Sequence, residues 1–132
     1  MRKIVFRGFS KHLGEWLYGD LEHVEEDHVR IWPNPDSRDN RADDIAPESV
    51  GQYTGLEDSK GVEIYVGDIV KDLDGFREDF GQIAQVKYHV GLCSFTLYYQ
   101  DGDCIPMNAR RRYEIIGNTY ENPDLLEGGG DK

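Results

Sequence analysis

The chain has 132 residues, the length of about one ordinary domain. It carries 26 acidic and 15 basic side chains, which give a formal net charge of -11, and 38% of its residues are apolar. The sequence has no stretch of about 18 apolar residues that could form a transmembrane helix, and its start does not resemble a secretory signal. Its two cysteines are too few for a disulfide scaffold, so we expect a protein of the reducing cytoplasm.

The negative charge opposes nucleic-acid binding, because affinity for phosphates normally comes from lysine and arginine. Basic and acidic residues are spread along the whole chain, and no segment forms a basic arm. This distribution favours a solvated, solubilising surface. The alternative is an acidic face that docks on a basic partner or imitates DNA.

The first part of the chain is predicted to form three strands. Apolar and polar side chains alternate in residues 2–9, and Trp16 and Tyr18 fall on one face of residues 15–24. A polar break separates these two runs, which predicts a hairpin. A third short strand, residues 28–32, ends at a proline, which cannot donate to a strand ladder.

Residues 33–44 contain almost nothing to bury, and this predicts a mobile loop or hinge over residues 33–48. An ordered binding loop is the alternative, since loops of this length in compact domains are either functional or disordered. We therefore place a first subdomain at residues 1–48.

The second half of the chain is again rich in strands. The predicted segments are residues 62–65, 67–71, 81–88, 94–100, 103–107 and 113–117. Asp101-Gly102 predicts a hairpin turn, and residues 58–61 predict a second turn. Even spacing of short strands is typical of a small barrel or sandwich, so the fold class is all-β. Short helical turns are expected around residues 47–50 and 122–126, and a disordered tail at 127–132.

Residue types that carry chemistry are present without the required spacing. His23 and His28 are separated by five residues, an odd number that places them on opposite faces of a strand. We interpret all four histidines as surface residues and predict no metal and no cofactor. Cys93 and Cys104 are predicted to be buried structural cysteines, because two thiols cannot complete a zinc site.

The chain contains neither a nucleophile elbow nor a phosphate-binding glycine loop. Adjacent carboxylates, such as Glu78 and Asp79, are expected by chance among 26 acidic residues. We therefore do not expect an enzyme. The one basic cluster, Arg110, Arg111 and Arg112, either grips a nucleic-acid backbone or neutralises nearby carboxylates, and we favour neutralisation.

Three segments carry a resemblance to a known family. They are residues 49–70 (SVGQYTGLEDSKGVEIYVGDIV), residues 3–8 with 14–19 (KIVFRG and GEWLYG), and residues 113–126 (YEIIGNTYENPDLL). In this order they span nearly the whole chain, which resembles the YopX family of phage and prophage proteins. Residues 72–112 depart more from the family pattern.

The resemblance implies a mostly β protein with two parts. The first half should be a small N-terminal β subdomain, and residues 49–126 should contain an SH3-like β-barrel opened by a strand at residues 67–71. It also implies a phage or prophage origin and a bacterial cytoplasm. It supplies no activity and no catalytic residues.

The leading functional hypothesis is a non-catalytic module that binds a protein of the host or the phage. SH3-like barrels commonly bind partners through loops and aromatic grooves. The predicted contact residues are Tyr53, Tyr65, Tyr98 and Tyr99, provided that they are exposed together. A nucleic-acid-binding barrel that uses the arginine cluster and an acidic DNA mimic are the alternatives, and self-association through edge strands is expected to be possible.

Overall fold

The computed structural model describes residues 3–33, 42–74, 82–100 and 102–127. Contacts within the chain group it into two units, Met1–Tyr53 and Thr54–Lys132. Among the described residues, no helix is long and apolar enough to cross a membrane. The predicted all-β class is confirmed, because strands dominate both units and their sheets are antiparallel.

The first unit is built on an antiparallel sheet. Its strands are β1 (Phe6–Ser10), β2 (Glu15–Glu25), β3 (His28–Pro33), β4 (Asp43–Ile45) and the start of β5 (Gly51–Glu57). Their order in the sheet is β4-β3-β2-β1-β5. The predicted hairpin is confirmed, with Phe9 opposite Trp16 and Arg7 opposite Tyr18. The predicted third strand is β3.

One face of this sheet forms the core of the first unit. Val29, Ile31 and Ile45 are at most 5% exposed. Partly buried apolar side chains pack against them, namely Phe6, Leu17, Leu21 and Val50. Leu17 and Leu21 alternate with polar and aromatic side chains along β2, so those polar and aromatic side chains lie on the opposite face of the sheet.

Strand β4 lies inside the stretch that the sequence assigns to a mobile loop. Ile45 pairs with Val29 of β3 and is 5% exposed, and the carboxylate of Asp43 accepts a hydrogen bond of 2.6 Å from the hydroxyl of Ser10. A single buried isoleucine in a polar segment is too weak a pattern to reveal a strand. Residues 34–41 of the predicted loop lie outside the described residues, and the predicted domain limit at residue 48 stays a prediction.

The second unit contains the remaining strands. They are β6 (Glu63–Tyr65), β7 (Asp68–Asp72), β8 (Ile83–His89), β9 (Ser94–Tyr99), β10 (Cys104–Pro106) and β11 (Tyr113–Asn118). Five of them form a sheet in the order β10-β9-β8-β7-β11. Its core consists of Ile64, Val70, Ala84, Val86, Leu97, Tyr99 and Tyr113. Within the described ranges this sheet is open and is not closed into a barrel.

The short helical turns expected from the sequence are confirmed at both places. Pro47–Ser49 form one turn of 3-10 helix, and the chain ends its described part in α1 (Asp124–Glu127). Gly81, Asp101 and the tail residues 128–132, for which the sequence also makes predictions, lie outside the described residues.

The turn predicted at residues 58–61 is held by one buried carboxylate. Asp58 is 8% exposed and accepts hydrogen bonds of 2.9 Å from the backbone N–H groups of Lys60 and Val62. Its other oxygen accepts a hydrogen bond of 3.2 Å from the N–H of Ile115 on β11. Burial opposes ionisation, but the hydrogen bonds from Val62, Ile115 and Lys60 outweigh it, and the pKa of Asp58 lies below its ordinary value.

We expect Asp58→Asn to destabilise the chain by about 1–3 kcal/mol at neutral pH, because the amide nitrogen cannot accept the bond from Ile115. The lowered pKa makes the contribution of Asp58 complete above about pH 4, and it is lost as the pH falls through the lowered folded-state value. Urea unfolding at pH 7 and pH 3 checks this. The difference in unfolding free energy between wild type and variant should shrink at pH 3, and an equal difference at both pH values would contradict it.

Candidate protein-binding surface

The predicted aromatic contact surface is not exposed as a group. Tyr53 is 8% exposed, Tyr65 2% and Tyr99 4%, and only Tyr98 is half-buried. The hydroxyl of Tyr99 donates a hydrogen bond of 3.2 Å to Asp72, so this ring belongs to the interior. The prediction fails because a tyrosine ring is mainly apolar and suits a core position when its hydroxyl finds a partner.

The arginine cluster is divided among different environments. Arg111 forms an ion pair with Asp72, and both side chains are largely buried, at 11% and 2% exposure. Arg112 pairs with Asp74 at 2.8 Å, and the hydrogen bonds from its side chain and backbone hold the pKa of Asp74 below its ordinary value. Arg110 is exposed, and no described carboxylate forms an ion pair with it. Two of the three guanidinium groups thus neutralise carboxylates, the role that the sequence favours.

The two cysteines contradict their predicted burial, because both are exposed free thiols. Cys93 ends the 3-10 turn Val90–Leu92 in a left-handed conformation with a φ of 52°, and Cys104 begins the short strand β10. Both therefore lie where the chain turns at the surface. Within the described part of the chain, no group of histidine, cysteine and carboxylate side chains is arranged to hold a metal ion.

The most prominent apolar feature of the second unit is the end of the β8–β9 hairpin. Val90 is 78% exposed, and Tyr88 and Leu92 are each 49% exposed. The ring of Phe95 contacts that of Tyr88 edge to face, with centroids 5.3 Å apart. We call Tyr88, Val90, Leu92 and Phe95 the hairpin tip.

The hairpin tip has a defined conformation. Its connection is the 3-10 turn Val90–Leu92, capped by His89, whose Nδ1 accepts a hydrogen bond of 3.2 Å from the N–H of Leu92. On the opposite face of the hairpin from Tyr88 and Phe95, the ring of His89 stacks on Tyr98 with centroids 6.0 Å apart, and Nζ of Lys87 lies 5.2 Å from the centroid of the Tyr98 ring. These contacts fix the strands that carry the tip, so a partner meets a preformed surface.

The charge around the hairpin tip differs from that of the rest of the chain. Residues 82–100 contain no aspartate or glutamate, although the whole chain has 26 acidic residues. Lys87 is their only lysine or arginine. Depletion of carboxylates around exposed aromatic and aliphatic side chains is typical of the centre of a protein interface. This acid-free run is visible in the sequence and could have indicated the tip, but none of the sequence-based predictions used it.

A family model described as YopX protein matches residues 5–127. The chain belongs to the YopX family. Except for residues 3 and 4, this match covers the segments that carry the resemblance. It also covers the β8–β9 hairpin, which lies in the region where the resemblance is weakest.

A solved structure resembles the fold of this YopX-family chain. The crystal structure of protein EF1440 from Enterococcus faecalis is similar, with a TM-score of 0.58 and 23% sequence identity. The similarity covers 96% of this chain and 99% of that one. At this identity the likeness concerns the fold alone. No curated protein matches the YopX chain at a significant level.

Proposed function

We propose that this YopX-family chain is a non-catalytic protein-binding module of a phage or prophage, and that the hairpin tip is its contact surface. The observation that carries the proposal is the exposure of Tyr88, Val90 and Leu92 together within an acid-free segment. Burying one such side chain stabilises a complex by about 1.5–3 kcal/mol before the cost of association. The partner is a protein of the bacterial host or of the phage, met in the cytoplasm.

The strand connectivity of the second unit supports an SH3-like arrangement as part of this proposal. Strand β7 pairs with β8 on one side and with the last strand, β11, on the other. The last strand, β11, therefore pairs with β7, the first strand of the β7-β8-β9-β10 meander. In SH3-like folds, binding commonly uses the loops between such strands, and the β8–β9 connection is one of them.

Nucleic-acid binding through the arginine cluster has less support, because Arg111 and Arg112 would have to give up Asp72 and Asp74 to reach a phosphate. Mimicry of DNA also has less support. Two surface carboxylates, Asp44 and Glu114, form ion pairs with Arg30 and Lys60, which interrupts a continuous acidic surface at these positions. Self-association through the hairpin tip remains compatible with the proposal, since a second copy is also a protein partner.

The proposal predicts that Val90→Ser/Leu92→Ser reduces partner capture by at least about tenfold, because a hot spot of this size contributes more than ~1.4 kcal/mol. Tagged wild-type and variant chains are used to capture proteins from a host lysate and from phage-infected cells, and mass spectrometry quantifies each protein. The matched control is Leu13→Ser/Val62→Ser, which removes the same two residue types at positions that are each 52% exposed.

A protein captured by wild type and control but lost with the tip variant supports the proposal. The same set of captured proteins for all three chains would overturn it. Circular dichroism of the variants excludes misfolding as the cause, since exposed substitutions usually change stability by less than about 0.5 kcal/mol. Sedimentation analysis of the wild type shows whether the captured partner is a second copy.

A further inference from the structure

The sheet of the first unit presents aromatic and acidic side chains on the face opposite its core. Leu17 and Leu21 of β2 pack toward the core, so Tyr18, Asp20 and Glu22 point to the other face. Trp32 of β3 lies directly opposite Asp20 in the strand register and shares that face. We call Tyr18, Asp20, Glu22 and Trp32 the aromatic-acidic face.

Two aromatic rings on this face are open to solvent. Tyr18 is 49% exposed and Trp32 is 39% exposed. Because Tyr18 precedes Asp20 by two residues and Asp20 faces Trp32, the two aromatic residues are diagonal neighbours, with backbones about 7–8 Å apart. Their rings thus present two adjacent flat surfaces on one side of the sheet.

The indole of Trp32 is held in place before any ligand arrives. Its Nε1–H donates a hydrogen bond of 2.9 Å to Oε1 of Glu22 on the neighbouring strand. A fixed ring loses little conformational freedom on binding, which favours its use as a contact surface. The carboxylate of Glu22 keeps further acceptor positions after this bond.

Two carboxylates on this face, Asp20 and Glu22, lie beside the exposed aromatic rings. Asp44 of β4 lies 2.8 Å from Nε2 of His28 and 3.3 Å from Nε of Arg30. Arg7 of β1 lies opposite Tyr18 and shares this face, but it is 8% exposed and its guanidinium lies over the ring of Trp16, 4.7 Å from the ring centroid. Asp20 is exposed, and none of the described cations forms an ion pair with it. Asp20 and Glu22 therefore attract a basic group to the edge of the two rings.

We propose that the aromatic-acidic face binds a proline-rich peptide segment that carries arginine or lysine. One turn of polyproline II helix spans three residues and about 9 Å, which is close to the spacing of Tyr18 and Trp32. Proline rings on successive turns pack against the two aromatic rings, and the basic side chain reaches Asp20 and Glu22. A polyproline II segment is already extended, so it loses little entropy when it binds.

This binding site goes beyond the proposed function, because it lies in the first unit and uses none of the hairpin-tip residues. Either surface can fail its test while the other passes. The ligand class also differs, since the hairpin tip offers no carboxylate to a basic peptide.

Intrinsic fluorescence provides the measurement. Both tryptophans of the chain, Trp16 and Trp32, lie on β2 and β3 of the first unit, and the probe peptide contains none. The probe is a short amidated peptide of prolines with two arginines at one end, titrated into the full chain at low salt. Two companion peptides replace either the arginines by glutamates or the prolines by alanines.

We expect saturable binding of the proline-arginine peptide and protection of Trp32 from acrylamide quenching. Tyr18→Ala should weaken binding at least about tenfold, as should Asp20→Asn/Glu22→Gln at low salt. The control is Val62→Ala, which trims a 52% exposed apolar side chain of the second unit that belongs to neither proposed surface, and it should leave the peptide affinity unchanged.

Three outcomes of the peptide titrations would overturn the proposal. The first is no saturable binding of the proline-arginine peptide. The second is equal affinity for either companion peptide, which would show that charge or polyproline conformation is not recognised. The third is equal weakening by Val62→Ala and Tyr18→Ala. A single-stranded oligonucleotide is titrated in parallel, and tighter binding of it than of the peptide would assign the aromatic rings to base stacking instead.

Discussion

Replacing Gly19 by alanine is expected to destabilise the first unit by about 3 kcal/mol or more. A Cβ atom at Gly19 would lie 1.9 Å from the carbonyl oxygen of Trp32 and 3.2 Å from the Cα of Pro33. These are backbone atoms of the neighbouring strand, so no side-chain rotation relieves the overlap. The strands β2 and β3 must separate locally, which breaks hydrogen bonds of the ladder between them.

Urea unfolding followed by tryptophan fluorescence measures this loss, because Trp16 and Trp32 both belong to the first unit. The control is Gly14→Ala, at a position with a φ of 72° and no heavy atom within 4 Å of the added Cβ. There only the left-handed backbone is strained, at a cost of about 1–2 kcal/mol. A loss at Gly19 no larger than that at Gly14 would contradict the predicted overlap.

Arg111→Met is expected to destabilise the chain by about 3–5 kcal/mol, because it leaves the carboxylate of Asp72 buried without its cation. Asp72 is 2% exposed and also accepts a hydrogen bond from the hydroxyl of Tyr99. This hydrogen bond and a second one of 3.1 Å from the backbone N–H of Asp74 replace only part of what the guanidinium provides. Thermal and urea unfolding at neutral pH measure the difference.

The neighbouring Arg112→Met provides the control, because the ion pair of Arg112 with Asp74 is exposed on the arginine side and should contribute much less. Equal stability of Arg111→Met and wild type would contradict a structural role for Arg111. It would also reopen the arginine cluster as a candidate site for an anionic ligand, to be tested with a single-stranded oligonucleotide.

The strands were largely predictable from the sequence, since their alternation of apolar and polar residues is a local property. Residues 15–24 and 94–100, for example, correspond closely to β2 and β9. Strand β4 was not predictable, because its one core residue, Ile45, is identified only by its partner Val29 on β3. Whether such a segment forms a strand depends on its register with a strand distant in sequence, and the local pattern of residues does not reveal that register.

The candidate site was less predictable than the fold. Tyrosines 53, 65 and 99 satisfy the pattern of an aromatic contact surface, but the same rings fill core positions when a partner such as Asp72 is available. Val90 and Leu92 of the hairpin tip lie on a short turn, where the alternation of strand residues does not predict which side chains are exposed. The acid-free run of residues 82–100 was visible in the sequence, but its meaning depends on the exposure of Val90 and Leu92.

The surface position of Cys93 has a practical consequence for finding the partner. Its thiol lies one residue beyond Leu92, and the other thiol, Cys104, lies across from Tyr98 on the far part of β9. In a Cys104→Ser background, a maleimide-linked photoreactive group would therefore be attached beside the hairpin tip alone. Illumination of such a conjugate inside a lysate would join it covalently to whatever protein rests on that surface, including one that dissociates too quickly to survive washing.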